Sequence, residues 1–275
     1  MIYDCFSYFN EEDLLDLKLH ELSHVVDYFV LVEATTTHSG LPKRLHYLEN
    51  KSRFDEFWNK IIHIVVTDMP VEPHEIQAAI SPQDRHWLDT GYQLGDNWVR
   101  ERYQRNQIMR GLTSCKPDDV IIIEDADEIV RPSVLENIES KIVDGSNAVE
   151  QTLNTYYMNW QCTNMPWWGS KILRYRCISN PSEDRFHTPA SQYIYNGGWH
   201  FGFLGGAEAI ENKITSYAHQ EFAISDVFNN IEARLANRKD VLGRLYEYKV
   251  IPIDDKMPKY VLENPEKFRK YMYVP

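Results

Sequence analysis

Apolar and polar positions divide this chain into two differently patterned halves. Residues 2–6 read as a short strand. A helix follows: Asn10 stands where an N-cap belongs, Glu11, Glu12 and Asp13 fill its first turn, and Leu15, Leu19, Leu22 and Val26 recur on one face. Residues 28–32 predict a second strand ending at Glu33, residues 54–58 a helix, and residues 61–66 a third strand. Residues 67–96 carry Pro70, Pro73, Pro82, Gly91 and Gly95 and predict a long irregular segment, a feature that often carries function. A helix is expected over 97–113. Residues 120–123 are four consecutive β-branched residues, the pattern of a strand buried on both faces. Strand–helix alternation of this kind predicts an α/β fold: a mostly parallel, doubly wound central sheet with helices on both faces and right-handed crossovers.

The second half reads differently. Residues 148–162 and 170–179 are longer, partly alternating and suited to antiparallel strands, with a turn at Pro166-Trp167-Trp168-Gly169 between them. Asn196-Gly197-Gly198-Trp199-His200 and Gly205-Gly206 come next, then helices from about Ala207 and Ser225. Prolines punctuate the tail after residue 252. With no linker visible, a single domain over 1–275 is expected: a nucleotide-binding half (1–130), an antiparallel acceptor-side half (131–250) and a tail wrapping the surface (251–275).

The strongest local chemistry is Glu124-Asp125-Ala126-Asp127-Glu128, directly after the buried strand. Open α/β sheets bind ligands outside the carboxyl ends of their strands, so Asp125 and Asp127 stand where a ligand belongs. Adjacent acids repel one another, and Mg²⁺ or Mn²⁺ relieves that repulsion while bridging carboxylates to phosphate. The competing reading is an acidic turn capping a helix after Pro132. Glu33 ends a strand at the same sheet edge: it either accepts from a ribose or base, or pairs with Lys43. Arg102 and Arg105 share a helix face, suited to phosphate or to the acidic cluster, or merely solvated. Glu208, after two glycines at a helix start, is the candidate base for an acceptor hydroxyl, with Asp184 and Asp226 as rivals. The plainer role for Glu208 is complementing the helix dipole. His200 and His219 are candidates to complete the metal shell, or ordinary hydrogen-bonding histidines. Trp167, Trp168 and Trp199, beside glycines, suit either a sugar platform or core packing.

Composition narrows the classes. The net charge of −12 argues against broad nucleic-acid binding and against an anionic membrane surface. An anionic nucleotide is still admissible where local cations meet its phosphates. Cys5, Cys115, Cys162 and Cys177 form no C-x-x-C pair, which suits a reducing compartment. With no apolar run approaching a membrane span and no leader pattern, a cytoplasmic protein is expected. No Walker loop, G-x-S-x-G elbow, H-E-x-x-H or strand-linked G-x-G-x-x-G is present.

Phe9-Asn10-Glu11, Leu14-Leu15, His20-Glu21-Leu22, Val25-Val26-Asp27, Val32-Glu33-Ala34, residues 119–129, Gly198-Trp199-His200 and Pro258-Lys259-Tyr260 occur in that order. In this combination the chain resembles glycosyltransferase family 17. The resemblance implies a GT-A-like fold and an inverting transferase. Its expected donor is UDP-N-acetylglucosamine and its helper Mn²⁺ or Mg²⁺. Asp125 and Asp127 then hold the metal and diphosphate, and 198–208 form the acceptor side. A glycan or glycoconjugate is the expected acceptor. A binding module that lost catalysis and a metal-dependent nucleotidyltransferase are the alternatives.

Overall fold

A computed structural model describes residues 1–82, 84–85 and 95–274 of the protein. Gly91, in the predicted irregular segment, lies outside the described residues.

The first half follows its pattern. Strand β1 (Ile2–Tyr8) leads into α1 (Glu12–Leu22), then come β2 (Tyr28–Ala34) and β3 (Ile61–Val66). Helix α2 (Pro73–Ala79) and helix α3 (Asp96–Asn106) precede β4 (Val120–Asp125). These strands pair in parallel in the order β3-β2-β1-β4. Alternation sends β-branched and aromatic side chains to opposite faces. Phe6, Phe29, Leu31 and Ile122 pack with α1, while Cys5, Val30, Val32, Ile121 and Ile123 pack on the other side, with Ile108 and Leu112.

Two local expectations need correction. Asn10 does not cap α1: Glu11 is the N-cap residue, and its side chain turns back to accept from the Phe9 and Asn10 amides. Nor is the segment after β3 irregular throughout. Pro73 at the first helical position and a reciprocal Glu72–Glu75 capping box start α2.

Beyond β4 the sheet changes direction, so it is mixed rather than mostly parallel. Strand β5 (Glu128–Val130) follows β4 at once; then come β6 (Ser146–Thr155), β7 (Trp160–Cys162) and β8 (Lys171–Arg174). Helix α4 (Pro181–Phe186) leads into the long β9 (Ala190–Gly202), then α5 (Gly206–Ser216), α6 (Ser225–Ala236) and β10 (Tyr248–Val250). β8 lies antiparallel between β4 and β6, β7 and β10 extend that edge, and β9 runs parallel to β6 while pairing antiparallel with β5. Gly197 and Gly198 therefore sit inside a strand. Asn196 takes positive φ there, and the β6–β9 register shifts beside it. A third apolar cluster, around Tyr156, Trp160, Ile210, Ile214, Val227 and Ile231, seats α5 and α6 on the far strands.

Candidate active site

The parity of β4 determines which helix each acid meets. Glu124 points to the α1 face, where Lys18 bridges it to Asp4, 3.2 Å away, with all three side chains fully buried. Asp125 points to the other face and meets Arg105 from α3 at 2.8 Å. It meets Arg185 from α4 at 2.7 Å. Arg185 also donates to both oxygens of Glu128, at 2.8 and 2.9 Å. Ser170 ties the faces together, donating to Glu124 at 2.6 Å. Asp127 turns the other way. Lys213 from α5 donates to its Oδ2 at 2.6 Å, and His200 from β9 stands 3.5 Å from its Oδ1.

Burial alone would push these acids up, but the cations outweigh it. Arg105 and Arg185 hold Asp125 well below the usual carboxylate range, Lys213 and His200 do the same for Asp127, and Arg185 lowers Glu128. All three are therefore carboxylates at neutral pH.

Above them opens a cavity of about 520 Å³ at the carboxyl ends of β1, β2 and β4. Ser7, Tyr8, Thr36, Thr37, His38, Gln104, Asp125, Asp127, Thr155, His200, Phe203, Lys213, Tyr217, Arg244 and Tyr246 are among the residues that line it. Several lining groups are buried and unpartnered: Ser7 Oγ, Tyr8 Oη, Thr155 Oγ1, Arg185 Nε, His200 Nδ1 and Tyr217 Oη. Buried polar atoms are nearly always hydrogen-bonded, so such a concentration around one cavity marks a place for a polar ligand.

Of the residues singled out from sequence, Asp125, Asp127, Arg105, Lys43, His200, His219 and Trp167 line this cavity. Trp167 lies against the His200 ring at 4.5 Å and donates to Glu128. A side chain at Gly169 would run into both Glu128 and Trp167, so the glycine permits that contact. The other candidates go elsewhere. Glu33 is fully buried and spends its oxygens on Lys43 at 3.3 Å, the Tyr47 amide at 3.0 Å and His63 at 3.1 Å, leaving none for a ribose. Arg102 pairs with Asp84 and stacks on Phe186, away from the acidic cluster. Trp199 is buried under Arg131 and donates to the Lys256 carbonyl at 2.8 Å, so it packs the core. Trp168 stands outside the cavity, edge-on to Tyr193 and Tyr195. Glu208 is exposed on the first turn of α5 and does not reach the cavity. Its rivals are also engaged elsewhere: Asp184 accepts from Ser179 and Thr188, and Asp226 pairs with Arg234.

The expected metal centre does not fit this donor set. Both oxygens of Asp125 accept from guanidinium groups, and those of Asp127 face an ammonium and an imidazole. His219 belongs to Glu221, 2.6 Å away. Among the described residues no group of three or more His, Cys, Asp or Glu side chains is arranged to hold an ion. A divalent cation entering here would have to displace Lys213 or Arg185. The positive charge beside these acids in this structure is that of Arg105, Arg185 and Lys213.

Sequence reasoning missed Lys213, Arg185, Arg244 and Glu11. Glu11 lies in the Phe9-Asn10-Glu11 stretch but reads there as an ordinary first-turn acid; the other three lie in no recognisable motif, and the Lys213–Asp127 and Arg185–Asp125 contacts span 86 and 60 residues.

Comparison with known proteins matches this architecture to a family. Over 126 residues, 44% of the chain, the sequence is 32% identical to the human and rat proteins named beta-1,4-mannosyl-glycoprotein 4-beta-N-acetylglucosaminyltransferase. The mouse protein of that name is 31% identical over the same length. The match spans only 20% of those relatives' length. Among solved structures, HddC from Yersinia pseudotuberculosis superposes with a TM-score of 0.33 at 10% identity, over 74% of this chain and 89% of that one. The inositol-1-phosphate CTP transferase from T. maritima gives 0.31 at 10%, over 99% and 97%. Nothing about the site follows from superpositions that distant. The family model described as glycosyltransferase family 17 matches residues 1–274, end to end across both halves of the sheet and every element that borders the cavity, and the chain belongs to that family.

Proposed function

We propose that this chain transfers a sugar, N-acetylglucosamine from UDP-N-acetylglucosamine, onto a hydroxyl of a glycan acceptor, with inversion at the anomeric carbon. The observation that carries the reading is the cavity at the carboxyl ends of β1, β2 and β4, walled by cations and by buried polar atoms without partners. Family membership supports the reaction class, and the name borne by the mammalian relatives supports the sugar. A GT-A-like arrangement, with the nucleotide over the parallel strands and the acceptor towards β9 and α5, accords with the position of that cavity.

The reaction needs three things from the chain. The nucleotide needs surfaces that match its base and ribose: Thr36, Thr37, His38 and Gln104 offer polar groups at the ends of β2 and α3, and Trp98 offers a ring. The diphosphate needs positive charge that stays put as the leaving group gains charge; Lys213 and Arg244 line the cavity and supply it. Carboxylates keep those cations in place. Asp127 holds Lys213 and Asp240 holds Arg244, so the charges are oriented before the donor arrives. The sugar itself has Trp167 and the unpartnered His200 Nδ1 beside it.

Action in the cytoplasm is part of the proposal. Among the described residues no helix is long and apolar enough to cross a membrane, and all four cysteines are free.

The test is a donor screen. Purified protein is incubated with UDP-, GDP- and CMP-sugars and simple glycoside acceptors, and nucleotide release and glycoside product are measured. UDP-N-acetylglucosamine should give both. Turnover of no nucleotide sugar would overturn the reading.

A further inference from the structure

A second cavity, of about 540 Å³, opens between the first turn of α1 and the junction of β9 with α5, and is lined by Asn10, Glu12, Asp13, Asn50, Arg53 and Tyr271, among others. Its lining is polar and charged, suited to the hydroxyls of a glycan rather than to an apolar ligand. The two cavities share one wall, made of Glu11, Phe203 and Lys213.

We propose that the second cavity is the acceptor subsite and that Glu11, in the wall between it and the donor cavity, is the base that takes the acceptor hydroxyl proton. This rests on the transferase reading above. An inverting displacement puts the attacking hydroxyl on the face opposite the departing diphosphate, so its base must stand between donor and acceptor.

Elimination within the donor cavity leads to the same residue. Five carboxylates line it: Glu11, Glu101, Asp125, Asp127 and Glu221. Asp125 pairs with two arginines, Asp127 with Lys213 and Glu221 with His219; Glu101 pairs with Arg105 through Oε1, and although its Oε2 is buried without a partner, it does not line the second cavity. Glu11 has no cation within ion-pair distance among the described residues. Its Oε2 is anchored by the amides of Phe9 and Asn10, both at 3.1 Å, and Oε1 has no hydrogen-bond partner among the described residues. One oxygen fixes the group and the other is open to a ligand. Burial pushes its carboxyl up, against the pull of Lys213 and of the two amides.

In the step, the acceptor oxygen attacks the anomeric carbon as its proton passes to Glu11 Oε1. The bond from the anomeric carbon to the β-phosphate oxygen breaks, and its electron pair leaves with UDP. The proton then returns to solvent through the second cavity.

The experiment compares wild type, Glu11→Gln and Asn50→Trp, using UDP-N-acetylglucosamine and p-nitrophenyl glycosides of mannose, glucose, galactose and N-acetylglucosamine. Glutamine keeps the oxygen that accepts from Phe9 and Asn10. Glu11→Gln should bind UDP-N-acetylglucosamine within about twofold of wild type, lose kcat by roughly 10²- to 10⁴-fold, and lose the acid limb of the kcat/KM profile. Asn50→Trp, which narrows the second cavity from an exposed position, should raise acceptor KM about tenfold or more and leave donor KM unchanged. Should Glu11→Gln fail to fold by circular dichroism, Glu11→Asp replaces it, with a roughly 10- to 100-fold loss and a shifted acid limb expected. An active wild type with Glu11→Gln within tenfold of it, or with acceptor KM indifferent to Asn50→Trp, overturns this inference and leaves the transferase reading standing. A wild type that turns over no donor overturns the reading beneath it.

Discussion

Replacing Lys213 with methionine removes a charge that both neutralises Asp127 and faces the cavity above β4. The stem would stay over Phe203, where the ammonium now lies 5.2 Å from the ring centre, so packing changes little. Two losses follow for a diphosphate ligand. A charge-assisted hydrogen bond contributes about 1.5–3 kcal/mol, roughly 10- to 150-fold in affinity. In addition, Asp127 would be left facing the phosphates; at roughly 6 Å and an effective dielectric near 20, two unit charges repel by about 3 kcal/mol. Lys213 is 24% exposed, so solvent screens part of this and the figure is an upper bound. UDP titrated calorimetrically in EDTA should therefore bind Lys213→Met at least about 30-fold more weakly than wild type. The fold should also soften. Stripping a fully buried ion pair of one partner costs about 3–5 kcal/mol; with His200 still beside Asp127 and partial exposure, about 2 kcal/mol is expected. For a chain of this size that is a fall in Tm of roughly 4–8 °C. Asp127→Asn added to Lys213→Met should recover much of that stability, because no stranded carboxylate remains. UDP affinity within twofold of wild type for Lys213→Met would refute the reasoning, as would wild type that binds UDP only when Mn²⁺ is added.

Three further outcomes follow from the same contacts. Glu33→Ala should cost about 3–5 kcal/mol in urea unfolding by stranding buried Lys43 and His63, because Glu33 holds the ends of β2 and β3 rather than a ribose; a midpoint unchanged from wild type would contradict that placement. Glu208→Gln should leave turnover within about twofold and stability within about 0.5 kcal/mol, as expected for an exposed position away from the cavity; a large loss of kcat would return it to the site. Because Asp125, Asp127 and Glu128 titrate below their usual values when folded, their stabilisation is present above about pH 4 and is lost as pH falls through their lowered values. Asp4 and Glu124, pushed up by burial, work the other way: they cost stability as pH rises from about 4 towards their raised values, and so act above that point rather than below it. Urea midpoints from pH 7 to 2 should drop below about pH 4, and less steeply for Asp127→Asn.

How much of this was legible in the sequence follows from the range of each interaction. The parallel strands and α1 are encoded locally, in β-branched runs and a helical stripe, and they formed where the pattern put them. The acidic run after β4 was readable for the same reason: its place at a strand's carboxyl end is a local fact. What holds those acids is not local. Arg185 lies on a six-residue helix that carried no periodic signal, and Lys213 on a helix whose start was expected near Ala207 but whose facing partner was not. Of the two readings open for Glu33, the pair with Lys43 is the one that forms, because the loop bearing Lys43 folds over the strand end, and β3 brings His63 alongside, which the local sequence could not show. Arg102 and Arg105 share a helix face as their spacing required, yet three residues along α3 is enough to send one to Asp84 and the other to Asp125. Residues 196–200 carried no strand signal because glycines interrupt the pattern; here they let β9 pass close to its neighbours, where an added carbon at Gly198 would meet the Ile129 carbonyl oxygen at 2.4 Å.

The most direct test is a crystal structure of the protein soaked with UDP-N-acetylglucosamine in EDTA. The account predicts the nucleotide over the ends of β1 and β2, its diphosphate within hydrogen-bond distance of Lys213, and no ion between it and Asp127. A nucleotide bound elsewhere, or one that appears only with Mn²⁺ seated on Asp125 and Asp127 after Lys213 and Arg185 have swung away, would contradict it.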